Sequence, residues 1–96
     1  LKIKVRYFTT LRELAGCMEE TFELENDVFL EDLIEKIVSK YGEKARQYLY
    51  TDEKQKIINP ALLILINGRR INTLQGLKTK LKDGDTIAIL PPVGGG

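Results

Sequence analysis

A chain of 96 residues, 43% hydrophobic and 30% charged, builds one small domain around a single core and leaves no room for a second. The 15 Lys and Arg nearly balance the 14 Asp and Glu, so a net charge of +1 supplies no field to recruit nucleic acid, and no apolar run approaches the ~20 residues that span a bilayer. Histidine is absent and Cys17 is the only cysteine, which removes the usual general base, the paired ligands of a zinc site and any intrachain disulfide. These absences argue against a self-contained hydrolase or metalloenzyme, no metal site is expected, and Cys17 reads as an ordinary thiol without a role.

In chain order, Lys2 to Phe8 alternates strictly. Ile3, Val5 and Tyr7 share one face of a half-buried strand, and Lys2, Lys4, Arg6 and Phe8 share the other. The strand pattern begins at once, with no basic or signal-like leader before Leu1, which points to the cytoplasm. Thr10 to Ala15 fits a short helical turn that Gly16 closes, and a second strand follows with Phe22 and Leu24 inward and Thr21, Glu23 and Glu25 outward. Leu30, Leu33, Ile34, Ile37, Val38 and Tyr41 then form a continuous apolar stripe on one helix that stops at Gly42, with acidic residues early and lysines late to complement its dipole.

Glu43 to Tyr50 reads as another short helix with Ala45, Tyr48 and Leu49 inward, followed by a polar turn from Thr51 to Lys56. Ala61 to Ile66 is apolar at every position, the pattern of a strand that lies centrally with both faces covered or one face awaiting a partner. Asn67-Gly68 is a type I′ hairpin signal leading into Arg69-Arg70-Ile71, Leu74, Leu77 and Leu81 pin the next connection, and Asp83-Gly84 turns the chain into a last strand. In that strand Ile87 and Ile89 face the core while Ala88 and Leu90 face the opposite side. The whole reads as an α+β domain: a mixed sheet of about five strands with one main helix on one face, and Phe8, Ala88 and Leu90 on the other.

The last ten residues carry the functional signal. The apolar run from Ile87 to Leu90 anchors in the core, Pro91 and Pro92 cannot continue a ladder, and Val93 leads to Gly94, Gly95 and Gly96. The domain is expected to cover residues 1–90 and a flexible tail residues 91–96. Fully extended at roughly 3.3 Å per residue, such a tail reaches on the order of 20 Å, enough to thread a neighbouring active site. Glycine lets backbone enter a slot too narrow for side chains, so a second protein could handle a terminal carboxylate on Gly96.

Ile3 to Phe8, Leu11 to Gly16, Asn67-Gly68, Asp83-Gly84-Asp85 and Pro91 to Gly96 together resemble the MoaD family, the small subunit of molybdopterin synthase and a ubiquitin-like sulfur carrier. The resemblance spans essentially the whole chain. It implies a β-grasp fold and a Gly96 carboxylate, flanked by Gly95, that is adenylated and then converted to a thiocarboxylate, the donor of the molybdopterin dithiolene sulfurs. It also implies three partners: a MoaE-like large subunit, a MoeB-like adenylyltransferase of the ubiquitin-activating type that uses ATP, and a sulfur donor enzyme. No cofactor bound to the chain itself is expected, and neither a nucleic acid nor a membrane partner. The expected partner interface is Phe8, Leu90, Pro91, Pro92, Val93 and Gly94.

Three features depart from the family pattern. Phe29 stands where relatives often place Thr or Ser, so the helix cap must come from elsewhere, such as Asp27. The segment from Glu43 to Asn59 is longer and more charged than in the smallest members, and Arg70 replaces an apolar contact residue. Other readings use the same tail: a sulfur carrier for thiazole or tRNA thiolation, or a protein modifier conjugated through Gly96. A β-grasp binding module with an inert tail is the remaining alternative.

Overall fold

In the computed structural model, which describes residues 1–91, the alternation of the first segment becomes strand β1 (Lys2–Tyr7), whose side chains run exposed and buried in strict turn. After it come α1 (Thr9–Ala15), β2 (Glu19–Glu23), α2 (Leu30–Tyr41), α3 (Glu43–Leu49), β3 (Tyr50–Asp52), β4 (Ile57–Ile58), β5 (Leu63–Ile66), β6 (Arg69–Arg70) and β7 (Thr86–Leu90). Two short 3-10 turns, Ile71–Thr73 and Gly76–Lys78, connect β6 to β7.

Five strands form one sheet in the order β2-β1-β7-β5-β6. β1 and β7 run parallel, with Val5 beside Ile87 and Tyr7 beside Ile89, and the other pairs are antiparallel. The wholly apolar segment is therefore not the central strand: β5 lies second from the edge, beside a β6 of only two residues, and the C-terminal β7 holds the centre. β5 also begins at Leu63 rather than Ala61, because Leu62 is engaged in a turn to Asn59, its N–H donating to the Asn59 carbonyl at 3.1 Å.

One face of the sheet is covered by α2. Leu30, Leu33, Ile34, Ile37 and Val38 are buried against Ile3, Val5 and Tyr7 of β1, Ile64 and Ile66 of β5, and Ile87 and Ile89 of β7. Each such side chain contributes about 1.5–3 kcal/mol by leaving water. Parallel first and last strands at the centre of a mixed sheet, crossed by one long helix, make this a β-grasp fold.

The helix cap comes from within α2. The Phe29 N–H donates to Asp32 Oδ2 at 2.8 Å, whereas Asp27, the expected source, pairs with Lys80 at 2.7 Å. The segment read as a polar turn is the tip of a second hairpin, in which Tyr50 pairs with Ile58 and Asp52 with Ile57. Asn67 and Gly68 both take positive φ, 51° and 82°, as a type I′ turn requires. Asn67 does more than turn the chain: its Oδ1 accepts from the Thr86 N–H and its Nδ2 donates to Asp85 Oδ1, both at 2.9 Å. The start of β7 is thereby pinned to the β5–β6 hairpin.

Between β2 and α2, Glu20 gathers three donors. Tyr7 Oη and Tyr41 Oη both donate to Oε1, the latter at 2.6 Å, and Lys40 Nζ donates to Oε2 at 2.6 Å. Burial alone would raise the Glu20 carboxyl, but the bonds from Lys40, Tyr41 and Tyr7 outweigh it and hold it below the usual value. Burial, reinforced by the bond to Glu20, pushes the Tyr7 phenol well up. A carboxylate depressed in the folded state stabilises fully above its unfolded pKa of about 4.3 and loses that contribution as pH falls through the folded value. Glu20→Ala, which strands the buried Tyr7 hydroxyl, should cost about 1–3 kcal/mol at pH 7. In urea melts, the gap between wild type and Glu20→Gln should narrow as pH drops below about 4.3. A pH-independent gap would show that the charge on Glu20 does not matter.

Candidate functional site

The chain leaves the sheet at Leu90, and the geometry of that exit defines the site. Parallel register sets Tyr7 beside Ile89, so the next residues, Phe8 and Leu90, come level on the sheet face away from α2. Phe8 keeps extended torsions (φ −133°, ψ 149°), continuing the alternation one residue past β1. On the other side Leu90 is opposite Leu63, and Ala88 is opposite Leu65. Phe8, Leu63, Leu65, Ala88, Leu90 and Pro91 are all half-buried. They form an apolar strip that ends at the root of the tail.

The structure thus brings together three of the expected interface residues, Phe8, Leu90 and Pro91. Pro92, Val93, Gly94, Gly95 and Gly96 lie outside the described residues. Sequence reasoning missed Leu63 and Leu65. Their signal was the unbroken apolar run of β5, whose second face is left open to this side.

Cations flank the strip. Lys4 and Arg6 are exposed on β1, and Arg70 of β6 is opposite Leu65. The guanidinium carbons of Arg6 and Arg12 each lie 5.5 Å from the centroid of the Phe8 ring. A left-handed turn at Thr9 (φ 45°) swings the chain from Phe8 into α1 and returns Arg12 over that ring. The Arg12 Nε donates to the Tyr7 carbonyl at 3.3 Å. These residues, with Met18 and Glu19, line an open cleft of about 520 Å³. A second open cleft, of about 470 Å³, has Pro60, Leu63, Arg70 and Ile71 in its walls, so the tail root has a hollow on either side.

Several charges on the helix side pair with one another. On the helix side a hollow of about 210 Å³ is floored by Ile34, Ile58 and Leu77, and its carboxylates Glu31 and Glu35 pair with Lys78 at 2.6 Å and Lys56 at 2.7 Å. The Lys56 bond, helped by one from Tyr50, holds Glu35 below the usual glutamate range. Among the described residues no group of three metal-ligating side chains is found, and no helix is long and apolar enough to cross a membrane.

The candidate site is therefore an apolar strip on a β-grasp domain, with arginines beside it, that converges where the chain leaves β7. Comparison with known proteins bears on the family and the fold. The ThiS family matches residues 5–96. The chain is 34% identical to the molybdopterin synthase sulfur carrier subunit of Chlamydomonas reinhardtii and 29% identical to small archaeal modifier protein 3 of Haloferax volcanii, each over 100% of both chains. The solution structure of small archaeal modifier protein 1 from Methanosarcina acetivorans superposes with a TM-score of 0.81 at 39% identity, covering 99% of this chain and 96% of that one. The chain belongs to the ThiS family of ubiquitin-like sulfur carriers.

Phe8 is half-buried and rests under two guanidiniums rather than in the core. Phe8→Ala should then cost only about 1–2 kcal/mol, the sum of two exposed cation–π contacts and partial burial, against ~3–5 kcal/mol for a core phenylalanine. A urea melt of that variant measures the difference.

Proposed function

We propose that this chain is the sulfur carrier subunit of a molybdopterin synthase, with Gly96 as the acceptor of sulfur. The observation that carries the reading is the convergence of Phe8, Leu63, Leu65 and Leu90 at the tail root, which supplies an apolar platform for a partner just where the glycine tail must enter that partner's active site. The relative from Chlamydomonas reinhardtii, matched end to end, bears this function in its name.

The chemistry follows from the tail's composition. A carboxylate resists nucleophiles. Attack of a Gly96 carboxylate oxygen on the α-phosphorus of ATP, in an adenylating partner, expels pyrophosphate and forms an acyl adenylate. The terminal sulfur of a donor-enzyme persulfide then adds at the carbonyl carbon and AMP leaves; a second thiol of the donor attacks the inner sulfur of the resulting acyl disulfide, closing an enzyme disulfide and releasing the thiocarboxylate. In the large subunit that sulfur passes to the pterin precursor. The carrier supplies position rather than acid or base: the domain binds, and Gly94, Gly95 and Gly96 place the carbonyl without side chains to obstruct the slot.

Protein modification through Gly96 is the second reading, favoured by the likeness to two proteins named as archaeal modifiers. Both readings share activation and diverge afterwards. Intact mass from cells separates them: exchange of one oxygen for sulfur marks the carrier, and ladders of large adducts mark the modifier.

Deleting Gly96, or adding one residue after it, displaces the reactive carbonyl by roughly 3.3 Å and should abolish sulfur transfer in a reconstituted synthase while leaving thermal melts unchanged. Full activity after either change would refute the carrier reading. Gly95→Ala and, more severely, Gly95→Val should slow ATP–pyrophosphate exchange by the adenylating enzyme because each puts a Cβ where only backbone fits. Equal rates for all three proteins would mean that no such slot operates.

A further inference from the structure

The cleft at the tail root holds two cations that pair with no carboxylate among the described residues. Among the described residues no carboxylate lies within 4.0 Å of either Arg6 or Arg12, although Glu19 is the cross-strand neighbour of Arg6 and lines the same cleft. The contrast with the lysines is informative, since Lys40, Lys56, Lys78 and Lys80 each close on a carboxylate at 2.6–2.7 Å. Both guanidiniums instead lie over the Phe8 ring, and Arg12 is further held by its Nε bond to the Tyr7 carbonyl. A guanidinium held over a ring has already given up part of its freedom, and its terminal Nη donors remain to receive a carboxylate.

We infer that this cleft receives carboxylate side chains of the adenylating partner, with Phe8 as the platform and Arg6 and Arg12 as the donors that fix the carrier's register before the tail enters. The inference rests on the carrier reading for the partner's identity and adds the chemistry of the contact. The cleft is continuous with the apolar strip through Phe8 and Leu90, so one acidic segment bordering an apolar surface would cover both. A nucleotide phosphate fits less well. The cleft lies at the root of the tail, whereas ATP must meet the far end of a segment that spans up to about 20 Å.

The test is ATP–pyrophosphate exchange by the cognate adenylating enzyme, titrated separately with carrier and with ATP, for wild type, Arg6→Gln, Arg12→Gln and the double variant. The expected result is a carrier KM raised roughly tenfold in each single variant and more in the double, with kcat and the KM for ATP unchanged. The dependence of carrier KM on salt should flatten in the same order, because attraction between exposed charges is what salt screens. An unchanged carrier KM in the double variant overturns the inference while leaving the carrier reading intact. A raised KM for ATP with an unchanged carrier KM places a phosphate in the cleft and also overturns it. No exchange with wild type at any concentration removes the carrier reading beneath it. Urea melts accompany each variant, and if Arg12→Gln unfolds through loss of its bond to Tyr7, Arg6→Gln at its exposed strand position decides alone.

Discussion

The parallel pairing of β1 with β7 is the constraint on which the rest of the molecule depends. It joins the two ends of the chain at the middle of the sheet, with Lys4 beside Thr86 and Tyr7 beside Ile89. Parallel neighbours need a crossover, and everything between them, three helices, strand β2, two hairpins and a looped connection, serves as that crossover. β7 is held on both flanks, by β1 as far as Ile89 and by β5 as far as Leu90, so the chain leaves from a paired strand. A tail that starts from a fixed point explores a smaller volume than one that starts from a frayed edge.

The fold was legible wherever one period dominated. β1 and β7 alternate, α2 carries an unbroken stripe from Leu30 to Tyr41, and Asn67-Gly68 specifies its own turn, so each appears where the pattern places it. Legibility failed where tertiary partners override local chemistry. Thr51 to Lys56 is polar enough to be a turn, and becomes the tip of a hairpin because Tyr50 and Ile58 on its flanks pair and close over α2. β5 looked central because every residue is apolar. Its second face, Leu63 and Leu65, is instead part of the apolar strip, and only the observed register shows Leu63 beside Leu90. Phe8 was visible as an aromatic on a polar face. The arginine from the following helix that folds back onto it was not, since that contact depends on the left-handed turn at Thr9.

That surface has a cost which the rest of the protein offsets. Leaving several branched apolar side chains half in water forgoes part of the ~1.5–3 kcal/mol each would contribute on full burial. The loss is tolerable in a chain this short because the opposite face is densely filled by α2, and because Phe8 is shielded by the stems and heads of Arg6 and Arg12. Edge strands beside the strip are charged, with Glu19 and Glu23 on β2 and Arg69 and Arg70 on β6, which discourages sheets from joining edge to edge.

Net charge conceals how these ions are sorted. The near balance of 15 cations and 14 anions argues against a diffuse field, yet individual cations differ in whether they meet an anion. Four lysines close on carboxylates, Lys40 on Glu20, Lys56 on Glu35, Lys78 on Glu31 and Lys80 on Asp27, whereas Lys4 is exposed on β1 beside the strip. Arg6, Arg12, Arg69 and Arg70 have no such partner among the described residues and lie on β1, α1 and β6, on either side of the strip. Lysine is a mobile point charge suited to exposed pairs that need little geometry, whereas arginine brings a planar fork that stacks on Phe8 and still offers donors. Beside the strip, Lys4, Arg6, Arg12 and Arg70 thus outnumber Glu19 of β2, in a protein that is almost neutral. Such a local field orients an approaching acidic surface without drawing the whole molecule to polyanions, and orientation is what a tail needs when its reactive atom must enter a slot shaped for backbone.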